Sequence, residues 1–373
     1  MQSYSVEKTI RENGQHSVVL VDEDLIIVEE VALFLQYLEG KGMALNTIES
    51  YCRSLKEYFT WLSREELRFY EVNKRSMISF IDFIKSEDVG RKEEKSARTI
   101  NKYLATVASF YQYFEGVGGY IDDNPITVKD KSQRNKSFYV HTVNKDSLNV
   151  NFFRQKEVKS KNTKRLFPNQ IEMLYEAFDN LSNDVEVVTR NKLLFKLLYE
   201  TGCRIGEALG LRLMDYSEPN PTEQIGTIYV KKHKPYYHKD HSLKTIERDI
   251  PVSMDLIYAI EDYVLSFRPQ IGETDTIFVN HGTSSEGKFM IRGTVETIFK
   301  ELSEQAGIKC TPHMLRHTHG TELKESGYSE VYIMDRLGHS SIESTKQYMH
   351  ISYDAQAKAY NDFIQQRKVV LEG

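Results

Sequence analysis

Between Asn46 and Leu62 the apolar residues Ile48, Tyr51, Leu55, Phe59 and Leu62 recur at the spacing of one helix face. Asn46 followed by Glu49 has the form of a capping box and predicts where that helix begins. A later stretch repeats the period with Tyr103, Val107, Phe110, Tyr111 and Phe114. It ends at the Gly116–Gly119 cluster, with Asn124-Pro125 as a turn beyond. Residues 26–126 therefore predict a small all-helical domain, and residues 1–25 read as a polar extension.

The pattern weakens over residues 127–165, which read as a linker, and resumes at Pro168, which opens a helix. The apolar run Leu193–Leu198 predicts a helix buried deep in a second core. GTIYVKK alternates as a strand does, and ERDIPVS is its natural partner, so 227–253 predicts a β-hairpin. The segment 277–280, IFVN, is a candidate third strand, and helices follow to the C-terminus. The second domain spans 166–355, with a tail helix over 356–373. Ala355, Ala359 and Phe363 form one apolar stripe near the start of that tail, and such a stripe must pack somewhere. The expected fold class is mainly α with a small β-sheet in the second domain.

Composition narrows the class. Apolar residues make up 40% of the 373 and charged residues 28%, as in a soluble globular protein. No apolar run is long enough to cross a membrane, and the first residues are too polar for a signal peptide, so a cytoplasmic protein is expected. Cys52, Cys203 and Cys310 lie far apart and read as small buried hydrophobes in a reducing compartment. The net charge of −5 conceals an uneven distribution. Residues 127–165 hold eleven Lys and Arg against three Asp and Glu, enough local positive charge for a nucleic-acid backbone, although a solvated linker has the same composition.

Three segments carry polar residues that packing alone does not need. TGCRIGEALGLRLMDYS places Arg204 near the start of a helix, TPHMLRHTHG puts His313 and Arg316 on one helical face, and LGHSSIESTKQYMH holds His339 and Tyr348. Arginine is a permanently charged planar fork that matches phosphate oxygens, and two of them can neutralise a pentacoordinate transition state. A tyrosine that attacks phosphorus must lose a proton of pKa near 10, which a histidine can accept. His317 and His319 read as packing residues, and Glu207 as a group that holds the Arg204 helix. His233, His238 and His241 match no standard metal-ligand spacing.

These segments closely resemble the tyrosine recombinase (phage integrase) family. The pattern TG-x-R-I-x-E-x-L-x-L marks Arg204, H-x-x-R is His313–Arg316, L-G-H ends at His339, and the nucleophile is Tyr348, with Tyr353 as its neighbouring rival. The family's catalytic lysine in a β-hairpin loop is best matched by Lys244, with Lys231, Lys232, Lys234 and Lys239 as alternatives. Thr47 and Tyr51 fit the T-x-x-x-Y pattern of the family's core-binding domain. The resemblance implies a two-domain clamp on double-stranded DNA, working as a homo-tetramer on paired sites. It implies no cofactor, metal, membrane or small-molecule substrate, and a tail that docks on a neighbouring subunit. A type IB topoisomerase shares the chemistry, and a non-catalytic DNA-binding regulator is the reading from another class.

Overall fold

In this computed structural model the described residues are 3–11, 14, 16–86, 95–118, 121, 123–129, 149–151, 153–157, 165–233, 246–271, 274–282, 284–338, 360, 361 and 364. Those up to 157 form one compact unit and those from 165 onward a second. None of the described helices is long and apolar enough to cross a membrane.

The first unit begins with an antiparallel hairpin of β1 (Ser5–Ile10) and β2 (His16–Val21), in register from Ser5 opposite Val21 to Ile10 opposite His16. This differs from the polar extension read from the sequence. Val18 and Leu20 enter the core, whereas β1 stays largely polar and exposed, so its alternation is faint. Helices α1 (Glu29–Gly40), α2 (Leu45–Arg64), α3 (Ser76–Ser86) and α4 (Ala97–Tyr113) follow, their apolar faces closing on Phe34, Leu55, Trp61, Phe80 and Phe110. The Asn46–Glu49 capping box does not form, because α2 already starts at Leu45 after Ala44. Glu49 instead pairs with Arg53 at 2.7 Å and reaches Lys8 of β1 at 3.1 Å, joining hairpin to helix. Deep in this core the Tyr58 hydroxyl lies 2.5 Å from that of Tyr111, which donates to the Phe69 carbonyl, so both buried phenols are satisfied. Inside the expected linker, β3 (Thr127–Lys129) pairs antiparallel with β4 (Asn149–Asn151).

The second unit is built around α6 (Val185–Thr201), whose successive residues Leu193–Phe195 and Leu197–Thr201 are all buried. Asp184 caps its start by accepting from the Glu186 amide at 3.0 Å. Before it comes α5 (Pro168–Ala177), with proline in its first turn, and after it the short α7 (Ile205–Gly210). Strands β5 (Ile225–Val230) and β6 (Arg248–Ser253) form an antiparallel pair from Ile225 opposite Ser253 to Val230 opposite Arg248. The expected third strand at 277–280 is reduced to isolated bridges, Thr276 to Arg212 and Val279 to Phe289. Helices α8 (Met254–Asp262), α9 (Arg292–Ala306), α10 (Pro312–Glu325) and α11 (Glu330–Leu337) follow.

Of the tail, residues 360, 361 and 364 are described. Tyr360 is fully buried in its own unit, its hydroxyl donating to the Glu200 carbonyl at 3.0 Å. Its ring lies 3.7 Å from the buried Arg336 guanidinium, a π face for a cation that cannot reach water. Ala355, Ala359 and Phe363 lie outside the described residues.

The hairpin prediction is direct. Leu20 is 0% exposed, so Leu20→Ala should destabilise the first unit by about 2–4 kcal/mol through the cavity it leaves. Denaturant midpoints followed by near-ultraviolet dichroism would measure this, and a shift near zero would mean that the hairpin does not share the core.

Candidate active site

The C-terminus of a helix leaves its last carbonyls without partners inside the helix. At α11 three consecutive carbonyls are satisfied by three arginines: Arg336 O accepts from Arg248 Nε at 2.8 Å, Leu337 O from Arg316 Nη2 at 2.7 Å and Gly338 O from Arg204 Nη2 at 2.7 Å. Cations at this end also complement the helix dipole. Each arginine comes from a different element: Arg204 from the N-cap of α7, Arg248 from the start of β6 and Arg316 from the middle of α10.

Two glycines make this packing possible. Gly202 ends α6 in the left-handed conformation at φ 65°, and its carbonyl accepts from Arg316 Nη1 at 2.7 Å. A β-carbon there would lie 2.6 Å from Leu337 Cδ2 and 2.8 Å from His319. Gly338 ends α11 at φ 65°, and its β-carbon would lie 2.7 Å from Arg248 Nη1. Conformation and space both require glycine at these two positions.

Glu207 is the shared anion beneath the cluster. Its Oε1 accepts from Arg204 Nη1 at 2.9 Å and Arg248 Nη1 at 3.2 Å, and its Oε2 from the Arg204 amide at 2.9 Å and Arg248 Nη2 at 3.0 Å. Burial alone would raise the Glu207 pKa. The hydrogen bonds and charge of Arg248, followed by those of Arg204, outweigh burial and hold it below its ordinary value. Both terminal nitrogens of Arg316 donate to main-chain carbonyls, and no ion pair to it is found among the described residues. Burial, followed by the charge of Arg204, lowers its pKa to about 10, which still leaves it cationic at neutral pH.

A concavity of about 1150 Å³ takes Arg204, His313 and Arg316 into its wall, with Arg292, Lys300 and Lys309 further along. The structure thus brings together three of the residues read from the sequence. Lys244, His339 and Tyr348 lie outside the described residues, as do Tyr353, Lys234, Lys239, His238 and His241. Of the remaining loop residues, Lys231 sits 3.9 Å from the buried Asp215, and His233 Nε2 lies 2.5 Å from the same carboxylate. His319 is buried and accepts from Arg336 Nε at 3.0 Å, while the exposed His317 faces Thr321. Arg248 was missed by sequence reading. It is in phase with the buried Ile250 and Val252 of β6, and a charged residue on the inward side of a strand was the available signal. Chemically, the arrangement offers an anion site of two fixed guanidinium groups and an imidazole.

Comparisons with known proteins bear on the family and the fold. Residues 164–355 match the family model of the phage integrase family, and residues 31–116 match that of the phage integrase N-terminal SAM-like domain. Transposase A from transposon Tn554 of Staphylococcus aureus is 26% identical over 366 residues, covering 94% of this chain and 95% of that protein. The tyrosine recombinase XerD of Staphylococcus aureus is 27% identical over 345 residues, covering 90% and 98%. Among solved structures, the XerH site-specific recombinase in its post-cleavage complex superposes with a TM-score of 0.58 at 18% identity, covering 88% of this chain and 79% of that one. The integrase of transposon Tn1549 with right-end DNA gives 0.57 at 19% identity, covering 90% and 99%.

The lowered pKa of Glu207 makes a pH prediction. A carboxylate held below its unfolded value of 4.5 contributes stability above that pH and loses it as pH falls through the folded value. Glu207→Gln should therefore lower stability at neutral pH but flatten the acid limb below about pH 4.5. Thermal melts between about pH 3 and pH 7 test this, and an unchanged acid limb would show that another group controls it.

Proposed function

Because the chain belongs to the phage integrase family, we propose that it is a site-specific tyrosine recombinase that cleaves and rejoins duplex DNA. The observation that carries the reading is the pair Arg204 and Arg316, locked by main-chain carbonyls and opening with His313 on one concavity. The guanidinium groups are fixed before any ligand arrives, so little reorganisation is required when charge builds on a phosphate.

In this reading Tyr348 attacks the scissile phosphorus, giving a 3′-phosphotyrosine and expelling the 5′-oxygen. Arg204, Arg316 and His339 stabilise the pentacoordinate phosphorane. His313 assists proton transfer from the phenol, and Lys244 gives a proton to the leaving oxygen. The phosphodiester's energy stays in the tyrosyl ester. A 5′-hydroxyl of a partner strand then attacks phosphorus and releases the tyrosine. The arginine pair supplies the positive charge, so the reaction needs no metal or nucleotide. Residues 166–355 carry the chemistry. Residues 26–126 and the basic 127–165 add DNA contacts, and 356–373 form the tail. Exchange between two sites calls for a homo-tetramer, and the relatives named for transposition and recombination support integration, excision or transposition of a mobile element as the task. The place of action is the cytoplasm.

The test is to trap the protein on the genomic DNA that encodes it and sequence the covalently linked sites. A protein that links to no DNA would overturn the reading. Tyr348→Phe should bind the recovered duplex within about twofold of wild type yet form no adduct, because only one hydroxyl is lost. A normal adduct yield would move the nucleophile elsewhere, with Tyr353 next to try.

Lys244→Ala should slow cleavage by about a hundredfold or more, and a duplex with sulfur as the 5′ leaving atom should restore most of the rate. Sulfur departs without a proton, so equal defects on both substrates would shift the acid to Lys239 or another lysine of the loop.

A further inference from the structure

The anion site contains a carboxylate that works against it. Glu207 is buried and bonded to Arg204 through both the side chain and the amide, so these two residues alone form a neutral pair. A neutral pair attracts a phosphate weakly. Arg248 changes the balance. It donates to both oxygens of the same carboxylate, at 3.2 and 3.0 Å, from a side chain only 6% exposed. Two guanidinium groups and one carboxylate leave one positive charge. Arg248 does not line the concavity, whereas the Arg204 side chain does and is 33% exposed. The surplus charge therefore faces the ligand on Arg204.

We infer that Arg248 is a positioning residue for strand cleavage: it neutralises Glu207 from behind, so that Arg204 presents an uncancelled positive charge to the scissile phosphate. The inference rests on the recombinase reading above. It makes the ion triad, rather than the two concave-facing arginines alone, the unit that binds the transition state. Arg248 also fixes the ligand end of α11 through Arg336 O and packs against the bare α-carbon of Gly338, so its charge cannot move away from Glu207.

The decisive variants are Arg248→Met, which keeps an apolar stem of similar length, and the double variant Glu207→Gln with Arg248→Met. A purely structural residue gives lesions that add, whereas a charge-balancing residue becomes dispensable once the carboxylate is neutral. Two readouts are used: the rate of covalent adduct formation on the duplex recovered by trapping wild type, and the protection that inorganic phosphate gives against thermal unfolding. Arg248→Met should form adduct about a hundredfold more slowly at unchanged duplex affinity and lose most of the phosphate protection. The double variant should recover both, to within about tenfold of wild type for the rate. Should Arg248→Met fail to fold, the double variant against wild type decides by the same criterion. A double variant as slow as the single one, or a single variant as fast as wild type, overturns the inference. If wild type itself links to no DNA, the recombinase reading falls, and phosphate protection of the variants still decides what Arg248 does.

Discussion

The second unit depends on one reciprocal arrangement, in which the carbonyl end of α11 is capped by guanidinium groups and these are held in place by the carbonyls. A buried helix terminus without partners and a buried arginine without partners are both costly, each on the order of a few kcal/mol. Here each removes the cost of the other. Arg204, Arg248 and Arg316 come from segments far apart in sequence, so the last turn of α11 is where α7, β6 and α10 are tied together. Because the bonds are to the main chain, the acceptors do not depend on which side chains Arg336 and Leu337 carry.

The electrostatic consequence follows from counting charges. Glu207 shares one negative charge between Arg204 and Arg248, and Arg316 donates to two main-chain carbonyls. A cation in that position pays for its burial, which is why its pKa falls toward 10. In the proposed reaction a phosphodiester would bring a negative charge to this cation and offset that penalty. In that reading the cations that hold the fold also stabilise the transition state.

Much of this was legible in the sequence, for reasons that can be stated. The β5–β6 hairpin showed because its strands are rich in β-branched residues, and α6 because Leu193–Phe195 and Leu197–Tyr199, broken only by Lys196, are apolar on more than one helix face. Arg204, His313 and Arg316 showed because polar residues in fixed spacing are hard to explain by packing. Arg248 did not, since an arginine between Glu247 and Asp249 looks like surface charge until the register of β6 is known. The β1–β2 hairpin was hidden for a related reason: SVEKTI buries no residue fully, so only β2 carries a hydrophobic signature. The Asn46–Glu49 pattern misled because an ion pair with Lys8 and Arg53 uses the same glutamate that a cap would. Local motifs state which bonds are possible, and tertiary partners decide among them.

Arg336 shows how far the arrangement extends below the concavity. Its carbonyl accepts from Arg248, and its own guanidinium donates to His319 Nε2 at 3.0 Å and to Pro251 O at 2.9 Å while lying over the Tyr360 ring. Pro251 belongs to β6, the strand that carries Arg248, and Tyr360 also donates to Glu200 O on α6. A residue from the tail therefore closes the floor on which the arginine cluster stands. Removing the Tyr360 ring would leave the buried Arg336 cation without its π face and the Glu200 carbonyl with Arg336 Nη2, at 3.3 Å, in place of the shorter bond from the phenol. Tyr360 is tied to the arginine cluster through Arg336, whose carbonyl accepts from Arg248, and a close-packed interior transmits strain along such contacts. The tail residue Tyr360 is accordingly part of the support of the site, placed beneath it.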